Sequence, residues 1–339
     1  PIIAQTMYTK HMIDTILCDE KAAWDKTVAK FGGHPLQLWG WGEVKAAHNW
    51  RVQRITIVDG NETIGAAQIL LRNLPKPLNQ LSYIPRGPVY KQGREDDVLA
   101  AIVNYVKHNL PCAVLTIEPD TEHPLRAKGW RQSPNNILLS RTLILDLTHT
   151  TDELLAAMTK KTRQYIRKSG RAGLDIKPVK THQDIAACLE IYRQTAKRAK
   201  FALHDDQYYY DIHDKLGEYS QIFAAYEDNR PVSFLWLATS RETSFELYGG
   251  MNDRGQALRA NYALKWHAIT ECKRQGIKRY DMNGLLNDGV SNFKRGFASH
   301  ENKLAGTYDY PMSQFYPVWR HGLPLAKRAI RSTKKLLGK

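Results

Sequence analysis

Residues 221–250, QIFAAYEDNRPVSFLWLATSRETSFELYGG, decide the fold class. Short polar turns divide this stretch into three apolar runs, at 221–227, 232–239 and 243–249. Apolar runs bounded by turn residues are typical of antiparallel strands joined in a meander. Apolar residues at helical spacing follow over 261–275, and a short strand pattern follows over 279–283. The stretch therefore predicts a meander, a crossover helix and one more strand.

The N-terminal half repeats this order of elements, without a repeat at the level of residues. A hairpin is predicted at 50–71, a helix at 96–110, and strands at 113–117 and 137–147. Thr148 or Thr151 is expected to cap a helix that opens at Asp152. Tight turns together with crossover helices predict an α/β or mixed α+β chain of two domains with mixed sheets, divided near residue 150.

The charge of the chain favours anionic partners. Its 339 residues include 49 Lys and Arg against 34 Asp and Glu, a net charge of +15. No apolar stretch reaches the roughly 20 residues that cross a bilayer, and no export signal is recognised, so the expected compartment is the cytoplasm. The four cysteines are scattered and show no metal-ligand spacing, so neither a metal site nor a disulfide framework is expected.

Two segments concentrate the basic residues. On a helix, Lys160, Arg163, Arg167 and Arg171 share one face, a cationic stripe that suits phosphates, although a solvated helix face is the alternative. From Arg320 onward, cations accumulate with apolar residues between them and no acid. This tail is expected to contact anionic lipid headgroups or RNA, or else to be solvated.

Two loops carry residues suited to acyl transfer. The segment Arg254-Gly255-Gln256 resembles part of the pyrophosphate loop of GNAT acetyltransferases, but Ala257-Leu258-Arg259 replaces its glycine-containing second part. Further on, Lys294 stands between Phe293 and Arg295, where a lysine can neutralise an oxyanion that develops during acyl transfer. Two buried phenylalanines beside a surface Lys-Arg pair are the structural alternative. The sequence contains no serine-nucleophile elbow, P-loop or zincin motif.

Six segments together resemble the Fem family of peptidoglycan bridge-forming aminoacyltransferases, in particular the short FemX type. They are 38–45 (LWGWGEVK), 83–88 (YIPRGP), 160–173 (KKTRQYIRKSGRAG), 201–209, 247–262 and 292–297 (NFKRGF). The resemblance implies two GNAT-like domains with twisted mixed sheets and a cleft between them. It implies a first domain of 1–150 plus 308–339, which binds the precursor, and a second of 151–307 for the tRNA acceptor end and catalysis. The segment between Lys200 and Gln221 is too short for the coiled-coil arm of some members.

The resemblance also implies roles for particular residues. Lys45 corresponds to a lysine that contacts the precursor's phosphates, and Arg198 or His204 to a second phosphate contact, although relatives tend to carry arginine where His204 stands. The remaining roles are stem-peptide contacts for Tyr208 and Tyr248, the tRNA acceptor end and reacting ester for Phe293 and Lys294, and a possible base for Glu118. Lys160, Arg163 and Arg167 are expected to hold tRNA or precursor phosphate.

The resemblance implies transfer of an amino acid, such as alanine, serine or glycine, from aminoacyl-tRNA to a stem-peptide amine. The acceptor is a UDP-linked or lipid-linked peptidoglycan precursor, and no cofactor is expected. The protein is expected to be a monomer with peripheral contact at the inner face of the membrane. The main alternative is a GNAT-type N-acyltransferase that uses acyl-coenzyme A on a small amine. A non-catalytic RNA-binding protein is the third possibility.

Overall fold

The computed structural model describes residues 13–286 and 288–322. The strands of this part are, in chain order, β1 (Ile13–Leu17), β2 (Arg51–Asp59), β3 (Glu62–Asn73), β4 (Gln80–Pro85), β5 (Val89–Tyr90), β6 (Val114–Glu118), β7 (Arg131–Gln132), β8 (Arg141–Thr142), β9 (Ile144–Asp146), β10 (Asp175–Pro178), β11 (Ser220–Glu227), β12 (Arg230–Thr239), β13 (Thr243–Met251), β14 (Arg279–Asp281), β15 (Asn302–Lys303) and β16 (Tyr308–Pro311).

The α-helices of the same part are α1 (Lys21–Lys30), α2 (Trp39–Ala47), α3 (Glu95–Asn109), α4 (Thr151–Ala157), α5 (Lys160–Gly170), α6 (His182–Ala199), α7 (Asp206–Leu216), α8 (Asp253–Leu258), α9 (Ala260–Arg274) and α10 (Gly289–Arg295). Single 3-10 turns lie at Pro35–Gln37 and Gly217–Tyr219, and a π-helical turn lies at Val318–Gly322. The segment between α6 and β11, where a coiled-coil arm would stand, contains α7 and a 3-10 turn.

Two mixed sheets form the framework. The first has the order β1-β2-β3-β4-β6-β16-β7 with β5 beside β3, and the second has the order β10-β11-β12-β13-β14-β9. Each sheet contains one parallel pair, β4 with β6 and β13 with β14, and its other pairs are antiparallel. The predicted mixed α/β class is confirmed. A separate two-stranded ribbon joins β8 to β15.

Local sequence explains the strongest elements. Asp228 and Asn229 adopt positive φ values of 48° and 60°, which the two-residue turn between β11 and β12 requires. Helix α3 buries Val98, Leu99, Ile102 and Val106 at helical spacing. It also opens with three acidic residues and closes with Lys107 and His108, which complements the helix dipole.

One hydrophobic core joins the two halves of the chain. Trp41 and Val44 of α2 are buried in the same cluster as Tyr208 and Ile212 of α7 and Trp236 of β12. Helix α2 belongs to the N-terminal half, yet its apolar face packs onto α7 beside the second sheet. This packing places α2 and α7 side by side at the junction of the halves.

Three local predictions were wrong. The strand expected over 137–147 is reduced to β8 and β9, because the backbone N–H groups of Ile137 and Leu138 donate to the Glu118 carboxylate instead of to a neighbouring strand. Thr150, and neither Thr148 nor Thr151, caps α4, and it forms a capping box with Glu153. The strand expected over 279–283 ends at Asp281, because Asn283 adopts a left-handed φ of 63°.

The strand pairing can be compared with the predicted division into two domains near residue 150. Strand β9, which precedes residue 150, pairs with β14 in the second sheet, whereas β16 returns to the first sheet between β6 and β7. The domain bounds themselves stay a prediction. Among the described helices, none has the length and apolar character to cross a bilayer. The basic tail from residue 323 lies outside the described residues.

Candidate active site

The parallel strands β13 and β14 separate after three paired residues. Their pairing ends at Phe245 and Asp281, whereas β13 continues to Met251. Asn283 turns the chain away from β13, and its side-chain amide donates to the Glu246 carbonyl at 2.9 Å. The register of β13 against β12 shifts by one residue at Leu247, a β-bulge of the kind common beside active sites. The second sheet therefore has a gap between β13 and β14 that begins after Phe245 and Asp281.

A cavity of about 350 Å³ lies along β13, beyond its last pair with β14. Its walls are β12 from Ser233 to Leu235, β13 from Glu246 to Met251, the C-terminal half of α6, the first turns of α9, and α10. The size suits a small ligand or the end of a larger one. Six charged or aromatic side chains that the next paragraphs describe line this cavity: Arg198, Glu246, Tyr248, Lys265, Phe293 and Lys294.

Lys294 reaches the cavity from α10, which Asp288 caps through the backbone N–H of Ser291. Its Nζ donates to the Gly284 carbonyl at 3.2 Å, so the turn that separates the strands also orients this lysine. Burial lowers the pKa of Lys294, while the carboxylate of Glu246 opposes that shift. Among the described residues, no carboxylate forms a salt bridge with Lys294. Its charge is therefore available to an anion in the cavity.

Two charged residues of the cavity were not predicted from the sequence. Glu246 and Lys265 form a buried ion pair with Nζ–O distances of 2.7 and 2.8 Å, and Tyr280 donates to the same carboxylate at 2.9 Å. The sequence nevertheless contains a pattern that could have indicated both residues. Glu246 interrupts the apolar run of β13, and Lys265 stands among the buried Ala263, Leu264, Ala268 and Ile269 of α9. A charge at a core position requires a partner.

Lys45 and Tyr208 meet where α2 packs onto α7. Lys45 Nζ donates to the Tyr208 hydroxyl at 2.7 Å and lies 4.5 Å from the ring centre of Trp41. Burial, with Arg72 adding a smaller effect, lowers the pKa of Lys45 to about 8. The His204 ring stacks on Tyr208 at 4.0 Å, and burial and the positive charge of Lys45 lower the pKa of this histidine.

Tyr248 connects this pair with the cavity. It lines the cavity, and its ring contacts that of Tyr209 at 5.1 Å between ring centres, which in turn contacts the Tyr208 ring at 5.8 Å. Burial raises the pKa of Tyr208 to about 12, and burial with the neighbouring tyrosines raises the pKa of Tyr248 as well. Both hydroxyls therefore stay protonated at neutral pH. The structure thus links Lys45, Tyr208 and Tyr248 through side-chain contacts, and Tyr248 lines the same cavity as Lys294.

Arg198 and His204, the two candidates for one phosphate contact, occupy different places. Arg198 lines the cavity and donates to the Met251 carbonyl and, at 3.1 Å, to Asp253. His204 lies beside Tyr208 and Lys45. Only Arg198 lines the same cavity as Lys294.

The basic helix α5 contacts α10 through one backbone hydrogen bond and a series of aromatic rings. The Thr159 amide donates to the Gly296 carbonyl at 3.0 Å, and Tyr165, Tyr262 and Phe293 form successive ring contacts at 5.0 and 4.9 Å. Lys160 and Arg167 are exposed on α5. Arg163 instead donates to the carbonyls of Ala156 and Met158 at the end of α4, at 3.2 and 2.5 Å.

Glu118 does not line the described cavity. It is fully buried at the end of β6, where its carboxylate accepts hydrogen bonds from Tyr83, Ile137, Leu138 and Thr307. Of these donors, Tyr83 lies on β4 of the first sheet and Thr307 directly precedes β16 of the same sheet. Its assignment as a base stays a prediction.

The residues compared with a pyrophosphate loop have structural contacts. Arg254 forms a bidentate pair with Glu227 at 2.7 and 2.5 Å. A Cβ at Gly255 would lie 2.2 Å from the Val232 carbonyl oxygen, so this glycine allows α8 to pack closely on β12. The ion pair and the close packing account for both residues without a bound pyrophosphate.

Comparison with known proteins identifies the family. The model of the FemAB family matches residues 20–136, 129–233 and 214–321. The chain belongs to the FemAB family. The predicted resemblance is confirmed. A curated FemAB-like relative is the lipid II:glycine glycyltransferase of Staphylococcus epidermidis, which is 21% identical over 398 residues and spans 91% of this chain and 95% of the relative.

Solved structures support the fold. The crystal structure of FemX matches with a TM-score of 0.78 at 18% identity, covering 88% of this chain and 97% of that chain. A tandem GNAT protein from the clavulanic acid biosynthesis pathway matches with a TM-score of 0.52 at 11% identity, covering 89% and 99%. The FemAB chain described here therefore has the fold of FemX and, more distantly, of tandem GNAT proteins.

Proposed function

We propose that this FemAB protein transfers an amino acid from aminoacyl-tRNA to the stem-peptide amine of a peptidoglycan precursor, inside the cavity between β13 and β14. The observation that carries the proposal is Lys294, a partly buried lysine with no salt-bridge partner among the described residues, oriented into that cavity by the Gly284 carbonyl. The curated relative acts, by its name, on lipid II and transfers glycine.

The reaction is the attack of a neutral amine on an ester carbonyl. The new C–N bond forms as the carbonyl oxygen gains negative charge, and the ester oxygen then leaves with its electron pair. Lys294 is placed to stabilise the oxyanion, a contribution that mutagenesis in other enzymes puts at roughly 100- to 1000-fold in rate. The attacking ammonium loses its proton before or during the attack, and Glu118 or the substrate itself is proposed as the acceptor.

The precursor is proposed to occupy the junction of α2 and α7. Lys45 is a mostly buried cation whose hydrogen bond is to a neutral hydroxyl, so a phosphate would supply the counter-charge that its site lacks. Tyr208 and Tyr248, both protonated donors, extend from there to the cavity. A stem peptide that follows these contacts brings its amine toward Lys294.

The tRNA is proposed to approach from the side of α5. Lys160 and Arg167 supply exposed cations for phosphates, and the ring contacts from Tyr165 through Tyr262 to Phe293 lead into the cavity. Arg259 lies 3.7 Å above the Tyr165 ring, a cation and aromatic face of the type that stacks on bases. The proposal includes a monomeric protein at the inner face of the membrane, with the basic tail contacting anionic lipid.

The test is a product assay. Purified protein is incubated with alanyl-, seryl- or glycyl-tRNA and either the UDP-linked or the lipid-linked precursor, and mass spectrometry measures the stem peptide. We expect one added aminoacyl mass with at least one donor and acceptor combination. Binding of both substrates without a lengthened peptide would favour the RNA-binding alternative.

A GNAT-type acyltransferase is the second candidate, because the fold is shared with a tandem GNAT protein. The pairing of Arg254 with Glu227 argues against coenzyme A binding at α8. Thermal shift with acetyl-coenzyme A separates the two candidates. We expect no shift, whereas a saturable rise in melting temperature would favour the acyl-coenzyme A reaction.

A further inference from the structure

Glu246 is a charged group in the cavity that the proposed reaction does not use. It is 6% exposed, and it is the first residue of β13 beyond the last pair with β14. A buried carboxylate is costly to keep ionised unless hydrogen bonds and an opposite charge compensate it. Its surroundings therefore show what the site is arranged to hold.

The hydrogen bonds of Glu246 leave acceptor capacity on one oxygen. Oε1 accepts from Lys265 at 2.7 Å and from Tyr280 at 2.9 Å. Among the described residues, Oε2 accepts only from Lys265, at 2.8 Å. A carboxylate oxygen has two lone pairs, so Oε2 can accept one more hydrogen bond from a group in the cavity.

Lys265 is already satisfied by its neighbours. It is 4% exposed, it donates to both oxygens of Glu246, and its ammonium lies 5.0 and 5.6 Å from the ring centres of Phe293 and Phe297. The carboxylate and the two aromatic faces compensate its charge. Its effect is to fix the Glu246 carboxylate in one orientation, while leaving Lys294 as the cation available to an anion.

We propose that Glu246 Oε2 forms a binding subsite for the primary ammonium group of a substrate, with Lys265 as its positioning residue. The inference rests on the proposed function and adds to it a basis for selecting the substrate. Glu246 and Lys294 line the same cavity and attract opposite charges. An aminoacyl ester carries an ammonium group on the carbon next to its carbonyl, so one ligand can satisfy both residues. A plain acyl group can satisfy only Lys294.

The ammonium group has two possible sources, the aminoacyl donor and the acceptor peptide. The donor probe is an RNA minihelix that carries alanine through a non-hydrolysable amide, compared with its N-acetylated form. The acceptor probe is the UDP-linked precursor with its stem amine free or acetylated. Isothermal titration calorimetry measures the dissociation constant of each probe for the full chain.

We expect the wild-type protein to bind the donor probe with a free ammonium about 10- to 100-fold more tightly than its acetylated form, the range for a hydrogen bond between charged groups. E246Q is expected to abolish this preference. K294M is expected to weaken both donor probes alike, and the exposed pair of Lys278 with Glu242 offers a matched control, E242Q, which is expected to leave the preference unchanged.

A second variant protects the test against misfolding. E246Q leaves Lys265 buried without its counter-charge, so E246Q/K265M removes both charges and is expected to show the same loss of preference with a native circular dichroism spectrum. If the variants instead abolish the preference for the free acceptor amine, the subsite belongs to the acceptor. Unchanged preferences for both probes in a folded variant would overturn the inference alone. A wild-type protein that binds neither donor probe overturns the proposed function as well.

Discussion

The two sheets each contain one parallel strand pair, and the two pairs end differently. β4 and β6 pair over five residues, up to Pro85 and Glu118, whereas β13 and β14 separate after three. Each pair has a buried glutamate at or just beyond its last residue, Glu118 on β6 and Glu246 on β13. Sheets of similar topology thus place a carboxylate at corresponding positions in very different surroundings.

The surroundings decide what each carboxylate can do. Glu118 accepts from Tyr83, Thr307 and two backbone amides, which close the end of the first pair with neutral donors. Glu246 is paired with a lysine in the wall of a cavity, and a second lysine stands nearby. The comparison teaches that the strand separation, and not the glutamate itself, makes the second pair suitable for chemistry. Three predictions, in order of decreasing effect, test this difference.

The largest effect is expected from removing the Glu118 side chain. E118A leaves the buried hydroxyls of Tyr83 and Thr307 and two partly buried backbone N–H groups without an acceptor, so the free energy of unfolding is expected to fall by about 3–4 kcal/mol in urea denaturation. E190A, at an exposed glutamate of α6, is the control and is expected to change stability little. An unchanged free energy of unfolding in E118A would contradict the structural role given to this carboxylate. A folded E118Q protein that keeps its stability but loses its transfer rate would identify Glu118, rather than the substrate, as the proton acceptor.

A smaller effect is expected from titrating Lys45. Only its charged form attracts phosphate, and its pKa of about 8 in the free protein implies that affinity for the UDP-linked precursor falls roughly tenfold between pH 7 and pH 9. Arg72 and Tyr208 lie close to Lys45, as does His204; the pKa of Tyr208 is raised and that of His204 is lowered, so both titrate outside this window.

Calorimetry at the two pH values measures this dependence. K45M is expected to bind weakly at pH 7 and to lose the dependence on pH. A wild-type affinity that stays constant from pH 7 to pH 9 would remove Lys45 from the phosphate site. In that case the precursor would have no identified phosphate contact at the junction of α2 and α7.

The smallest effect is expected on α5. The double variant K160A/R167A is expected to lower the slope of log affinity for tRNA against log salt by about two, because each cation that is removed leaves one phosphate without its counter-charge. R163A is expected to act on stability, by about 1 kcal/mol, because this side chain caps α4. Filter binding of tRNA at several salt concentrations measures the slope for the wild-type protein and for K160A/R167A. An unchanged slope would mean that these cations do not contact tRNA and that the basic face of α5 is only exposed to solvent.

The sequence predicted what local patterns encode. Val232–Thr239 and the hairpin around Gly60 were predicted correctly, because the apolar runs and the turn residues that bound them stand next to each other in the chain. The loop at 137–140 was predicted wrongly, because its amides bond to Glu118, which lies about twenty residues earlier. Contacts between distant segments leave no periodic signal in a single sequence.

The candidate site follows the same rule. Family resemblance indicated Lys45, Tyr208, Tyr248 and Lys294; in the structure the first three are linked by side-chain contacts, and Tyr248 lines the same cavity as Lys294. Glu246 and Lys265 were missed, because each is a single charge in an apolar run and its partner lies 19 residues away. The strand separation was also missed, since it depends on the left-handed turn at Asn283 and on the packing of α10.

The central claim is that acyl transfer takes place at Lys294, between the separated strands. The most direct measurement is the single-turnover rate of transfer from aminoacyl-tRNA by K294M, with K303M at an exposed lysine of β15 as the control. We predict a fall of roughly 100- to 1000-fold for K294M and a wild-type rate for K303M. An undiminished rate in folded K294M would contradict the claim.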